Sequence, residues 1–102
     1  MTTYTIEFQD GVLKIGFADP AQNNRIVVDA ATRLDELVKS GELAGGALLK
    51  ISGPASLPVA FVIAHRVAHL YEAIAVYDPK LASYVVCISH SPSHKLGNLV
   101  TP

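Results

Sequence analysis

Tryptophan is absent, cysteine occurs once, and charged residues make up only 17% of the 102-residue chain. Half of the residues are hydrophobic, so the shortage of charge excludes a disordered chain rather than suggesting one. The lone Cys87 excludes an internal disulfide and fits a reducing, cytoplasmic setting. It reads as a buried strand residue. No run of 18 apolar residues occurs, which excludes a membrane span; the longest apolar stretch, Leu57 to Ala64, is interrupted by Pro58 and followed by His65 and Arg66. The opening MTTYTIEFQD lacks the basic start and apolar segment of a signal peptide. A net charge of -1 argues against a surface for duplex DNA. A small phosphate-bearing ligand is still allowed, because backbone N–H groups hold phosphate without a positive total.

What is present reads as one small α/β domain over residues 1–102. Tyr4, Ile6 and Phe8 alternate with polar residues in a first strand, Asp10-Gly11 marks a hairpin, and Val12 to Phe17 answers it. After a loop over 18–25, Val28, Ala31, Leu34, Leu37 and Val38 predict a helix over 26–40, with Asp29 as N-cap and Gly41 as its stop. Ala47 to Ile51 is nearly all apolar, as a central strand covered on both faces would be. Leu57 to Tyr71 predicts a second helix, Ala73 to Tyr77 and Tyr84 to Ser89 two strands that pair antiparallel through the PKLAS loop, and Lys95 to Val100 a short last strand.

The first half of the chain holds no histidine, and the chemistry is concentrated between Ile51 and His94. Ser52-Gly53-Pro54 joins a strand to a helix, an arrangement suited to phosphates, although it matches neither of the common glycine-rich loops. An ordinary strand-to-helix turn capped by Ser52 or Ser56 accounts for it more simply. His65 and His69 are four apart and share a helical face; such a pair can ligate a metal or form an exposed polar stripe. Asp78 ends a strand, where a carboxylate suits acid–base chemistry or metal binding, or merely bonds to the backbone around Lys80. His90 ends the next strand. If the last two long strands pair, His65, His69, Asp78 and His90 are expected at one sheet–helix corner, and two histidines with a carboxylate suit manganese or zinc.

At these residues the sequence resembles the small CRISPR-associated proteins of the Csx-three family, the type III ring nucleases. The likeness is carried by Ile51-Ser52-Gly53-Pro54, Ala64-His65, His69, Ala75-Val76-Tyr77-Asp78-Pro79-Lys80-Leu81, Val85-Val86 and Ser89-His90-Ser91. It implies a Rossmann-like CRISPR-associated sensor-type fold, a central sheet flanked by two helices, assembled as a homodimer. It implies manganese-dependent cleavage of cyclic tetra-adenylate to linear products, which ends an antiviral signal. By position it implies His69 and Asp78 as catalytic residues, Asp78, His90 and His65 as metal ligands, and Ser52, Gly53 and Pro54 at the nucleotide-binding end of the sheet. It also implies a ring held between two dimers, one giving the binding face and the other the catalytic residues. Three alternatives stay open from the residues: a non-catalytic sensor of the same ring, a manganese-dependent exonuclease on linear RNA tails, and an interaction domain whose histidines are incidental.

Overall fold

The computed structural model describes all residues, Met1–Pro102. A hairpin opens the chain: β1 (Tyr4–Gln9) and β2 (Val12–Phe17) pair antiparallel around Asp10 and Gly11, both at positive φ, as a two-residue turn between twisted strands requires. Next come α1 (Asn23–Ser40), β3 (Gly46–Ser52), α2 (Leu57–Val67), β4 (Tyr71–Asp78), β5 (Ser83–Ser89) and β6 (Leu99–Val100). The six strands form one sheet in sequential order. β2, β3 and β4 run parallel through the two helices, whereas β5 and β6 return antiparallel.

Both helices lie on one face. Ala30, Leu34 and Leu37 of α1 and Val59, Ile63 and Val67 of α2 share a single core with Leu13, Leu49, Ile51 and Ile74 of the sheet. Arg66 of α2 also reaches Asp35 of α1 at 3.2 Å. The βαβαβ unit is the Rossmann-like element that the sequence implied, but the strand order never reverses, so no second helical layer forms. β3 is therefore not covered on both faces: Leu49 and Ile51 are buried under the helices, while Leu48 and Lys50 on the other face are only half-buried. There a smaller cluster of Ala75, Tyr84 and Val86 forms, and Lys50 Nζ lies 5.4 Å over the Tyr84 ring.

Several local expectations are corrected. α1 begins three residues earlier than its apolar spacing suggested, after Gln22, and Asp29 is no cap. The Asp29 carboxylate instead accepts the buried Thr3 hydroxyl at 2.6 Å and pairs with Arg25 at 3.5 Å; chiefly through Thr3, its pKa is lowered. The buried stripe of α1 is Ile26, Ala30, Leu34 and Leu37, which leaves Val28 and Val38 exposed. α2 ends at Val67, so Tyr71 opens a strand and His69 lies in the turn between them. Cys87 is exposed, not buried. A register shift at Ile74/Ala75 puts it on a part of the helix-side face that no helix reaches. Its thiol points to the Ile74 carbonyl at 3.6 Å, and partial burial pushes its pKa up.

Tyr4 ties the hairpin to the β3–α2 turn. Its ring is buried, and its hydroxyl donates to the Pro54 carbonyl at 2.5 Å. Burial pushes the phenol up to about 12. A raised pKa means that the folded state favours the neutral phenol. That contribution is complete below the ordinary tyrosine value of about 10 and disappears as pH climbs from there through about 12. Denaturation of the wild type should therefore become easier above pH 10, by up to about 1.4 kcal/mol per pH unit. Tyr4→Phe should show a flatter alkaline limb; equal slopes for the two proteins would show that Tyr4 does not carry the effect.

Candidate functional site

The sheet directions decide which groups can meet. β3 and β4 are parallel, so Ser52-Gly53-Pro54 and Asp78 emerge at the same end, the carboxyl end of the parallel strands. α2 runs back from that end, so His65 in its last turn and His69 just beyond it belong to the opposite end. β5 is antiparallel to β4 and finishes beside the start of β4, with Ala73 opposite Ser89. His90 follows there, and its N–H donates to the Glu72 carbonyl at 2.7 Å.

The expectation of one sheet–helix corner thus fails. His65, His69 and His90 share one end, Asp78 and the Ser-Gly-Pro turn the other, and the length of β4 separates them by roughly 20 Å at strand rise. The imidazoles and carboxylate are donor types that suit manganese. A single chain does not gather them: no group of three or more His, Cys, Asp or Glu side chains stands close enough to hold a metal. The sequence error was to treat every strand end as equivalent, when an antiparallel return sends consecutive strand ends to opposite edges.

Each group has a definite setting. The exposed rings of His65 and His69 meet edge-to-face, with centroids 5.4 Å apart, as their four-residue spacing led one to expect. Asp78 is half-buried, and its Oδ1 accepts the N–H groups of Lys80 at 2.9 Å and Leu81 at 3.4 Å. That bond fixes the carboxylate and closes the β4–β5 turn. Ser56 caps α2, accepting the Val59 N–H at 3.4 Å and donating to Asn23 Oδ1 at 2.8 Å. Phosphate has little to grip in the first turn of α2. Pro58 has no N–H, those of Val59 and Ala60 go to Ser56, and only that of Leu57 is free.

Gly53 is needed by the fold itself. It sits at φ 131°, and a Cβ there would lie 1.8 Å from the Ile15 carbonyl oxygen. The glycine lets the chain leave β3 hard against β2. Sequence reasoning missed the trough next to Asp78, about 570 Å³ in volume, whose apolar wall is Val76, Val85 and Cys87 and whose rim carries Lys80. The signal was in the sequence: two adjacent strands with outward valines and no third helix to cover them.

The fold and these ends define a small two-layer α/β domain with polar groups set at both strand termini of an open-sided sheet. The family model described as CRISPR-associated protein (Cas_csx3) matches residues 32–101, well over half of the chain. The chain belongs to that CRISPR-associated family. No curated protein and no solved structure matches it. No helix is long and apolar enough to cross a membrane.

Proposed function

We propose that the protein is a ring nuclease that opens cyclic tetra-adenylate to linear products in the cytoplasm, with manganese required, and so ends a CRISPR-linked antiviral signal. The observation that carries this reading is the family match over residues 32–101, which spans His65, His69, Asp78 and His90. The separation of Asp78 from the histidines adds a condition. The working site is composite: one homodimer presents its Asp78 end and a second its histidine end, with the ring between them. A two-fold dimer offers paired contacts to a ring of four equivalent nucleotides.

In this site the ribose 2′-hydroxyl attacks the adjacent phosphorus. A new O–P bond forms, the bond to the 5′-oxygen breaks, and the 2′-proton passes to a base while the leaving oxygen takes one up. An exposed imidazole suits either transfer, and His69 is assigned to it. Asp78, fixed by its turn, orients the ribose or the His69 ring of the opposing dimer. Ser52 and the Gly53-Pro54 turn lie at the Asp78 end, where they contact the nucleotide. His65, His90 and Asp78, brought together from different chains, would hold manganese, which would supply positive charge to the reaction.

The test is to incubate the purified protein with cyclic tetra-adenylate in manganese and in chelator and to resolve the products. Linear products confined to the manganese reaction are expected. An intact ring that raises the melting temperature would replace the nuclease with a sensor, and shortening of linear RNA tails with the ring untouched would replace it with an exonuclease.

A further inference from the structure

The two helices differ in length: α1 has 18 residues and α2 only 11. Asp35 of α1 meets Arg66 where the two still lie side by side. One turn further along α1, Val38 and Lys39 have no helical neighbour. By then α2 has ended at Val67, and the chain turns through residues 68–70 into β4. The missing turn leaves a notch of about 400 Å³ between the helix ends. Its floor belongs to the core: Leu43 and Val67 line it, and each is 1% exposed. Val38 and Leu70 form its sides, and Val38 is 41% exposed.

We propose that the notch binds a small amphipathic carboxylate, with its apolar body against Val38, Leu43 and Leu70 and its head group between Lys39 and Arg66. The volume is that of a small-molecule site. Such pockets span about 300–1,000 Å³ and are mostly apolar, with a few polar groups that fix orientation. A cavity of about 150 Å³ takes benzene, so an aliphatic or aromatic body and a head group both fit here. Charge selects the anion. Lys39 is in no ion pair. Arg66 meets Asp35 through Nε alone, at 3.2 Å, which leaves the terminal nitrogens of its guanidinium for a second carboxylate. Two cations therefore face one carboxylate around the rim. Helix C-termini ordinarily attract such cations. Here the last carbonyls already have partners. Leu37 takes the Leu43 N–H and the Ser40 hydroxyl, Val38 the Gly41 N–H, Ala64 the Ala68 N–H and Val67 the Leu70 N–H. The helix ends therefore neutralise only part of the positive charge.

The notch lies behind the turn that carries His69. Leu70 follows that histidine, and its carbonyl accepts the Gly46 N–H at 3.1 Å. Gly45 packs so closely that a Cβ there would lie 2.6 Å from the same oxygen. The turn has no room to back away from an occupant, so its amides report binding directly. The site goes beyond the proposed function and requires neither ring cleavage nor manganese.

The test is an NMR titration of the whole chain with octanoate, octylamine and octanol as probes, each into the low millimolar range. Octanoate should bind saturably and shift the amides of Val38, Leu43 and Leu70. Octylamine, with the wrong charge, should bind about tenfold more weakly or worse. Lys39→Glu should weaken octanoate by about tenfold or more and narrow the gap to octylamine. Val38→Trp fills the notch and should abolish the shifts. Both side chains are exposed, so both variants should keep the wild-type melting temperature. The site would be overturned by the absence of saturable shifts at these amides, or by shifts that survive Val38→Trp. An affinity indifferent to Lys39→Glu, or octylamine or octanol binding as tightly as octanoate, would overturn it too.

Discussion

Gly53→Ala should leave the domain largely unfolded at room temperature. The added methyl would be placed 1.8 Å from the Ile15 carbonyl oxygen, and that atom is backbone held in the β1–β2 hairpin. No rotamer relieves such a contact; β2 and the β3–α2 turn would have to separate. The φ of 131° adds strain for any residue with a side chain. Separation would also cost the bond from Tyr4 to Pro54. A loss of about 4 kcal/mol or more is expected, comparable with the whole stability of many small domains. Gly41→Ala is the control. It too has positive φ, 85°, but its Cβ would meet nothing within 4 Å. It should cost only about 1 kcal/mol. Urea unfolding of both variants checks this, and similar small losses would mean that the close approach at Gly53 relaxes easily.

The second large effect concerns chemistry. His69→Ala and Asp78→Ala should each lower the rate of ring opening by about 10²- to 10⁴-fold, the usual contribution of a positioned acid–base group. His69 is exposed, so its variant should keep the wild-type melting temperature. Asp78→Ala removes the two turn bonds to Lys80 and Leu81 and should melt somewhat lower. Asp78→Asn keeps an acceptor oxygen for that turn, so it separates the two roles: stability should return while cleavage stays low. Asp78→Asn with full activity would show that the aspartate serves the turn alone.

Much of the fold was legible from spacing. The hairpin at Asp10-Gly11 followed from turn chemistry, and the antiparallel β4–β5 pair from a loop too short for a crossover. The start of α2 at Leu57 also followed, and of the two serines that could cap it the structure uses Ser56. Periodicity failed where apolar residues are more numerous than the buried face needs. Val28 and Val38 fitted a helical stripe but point outward, and Cys87 fitted a buried strand but stands on bare sheet. The residues of the candidate site were readable as types, through their resemblance to a family whose model matches the chain. Their grouping was not, because it depends on the direction of each strand. The Ser52-Gly53-Pro54 turn suggested a phosphate by its place between strand and helix, whereas the observed neighbour of Gly53 is β2.

The composite site is the central claim, and mixing the two inactive variants tests it most directly. His69→Ala keeps an intact Asp78 end, and Asp78→Ala keeps an intact histidine end. An equimolar mixture with cyclic tetra-adenylate and manganese can therefore assemble intact sites between unlike copies. Ring opening should return to within about tenfold of the wild type, well above either variant alone. A mixture as inactive as its components, beside a fully active wild type, would place the whole catalytic set within one copy and contradict the account.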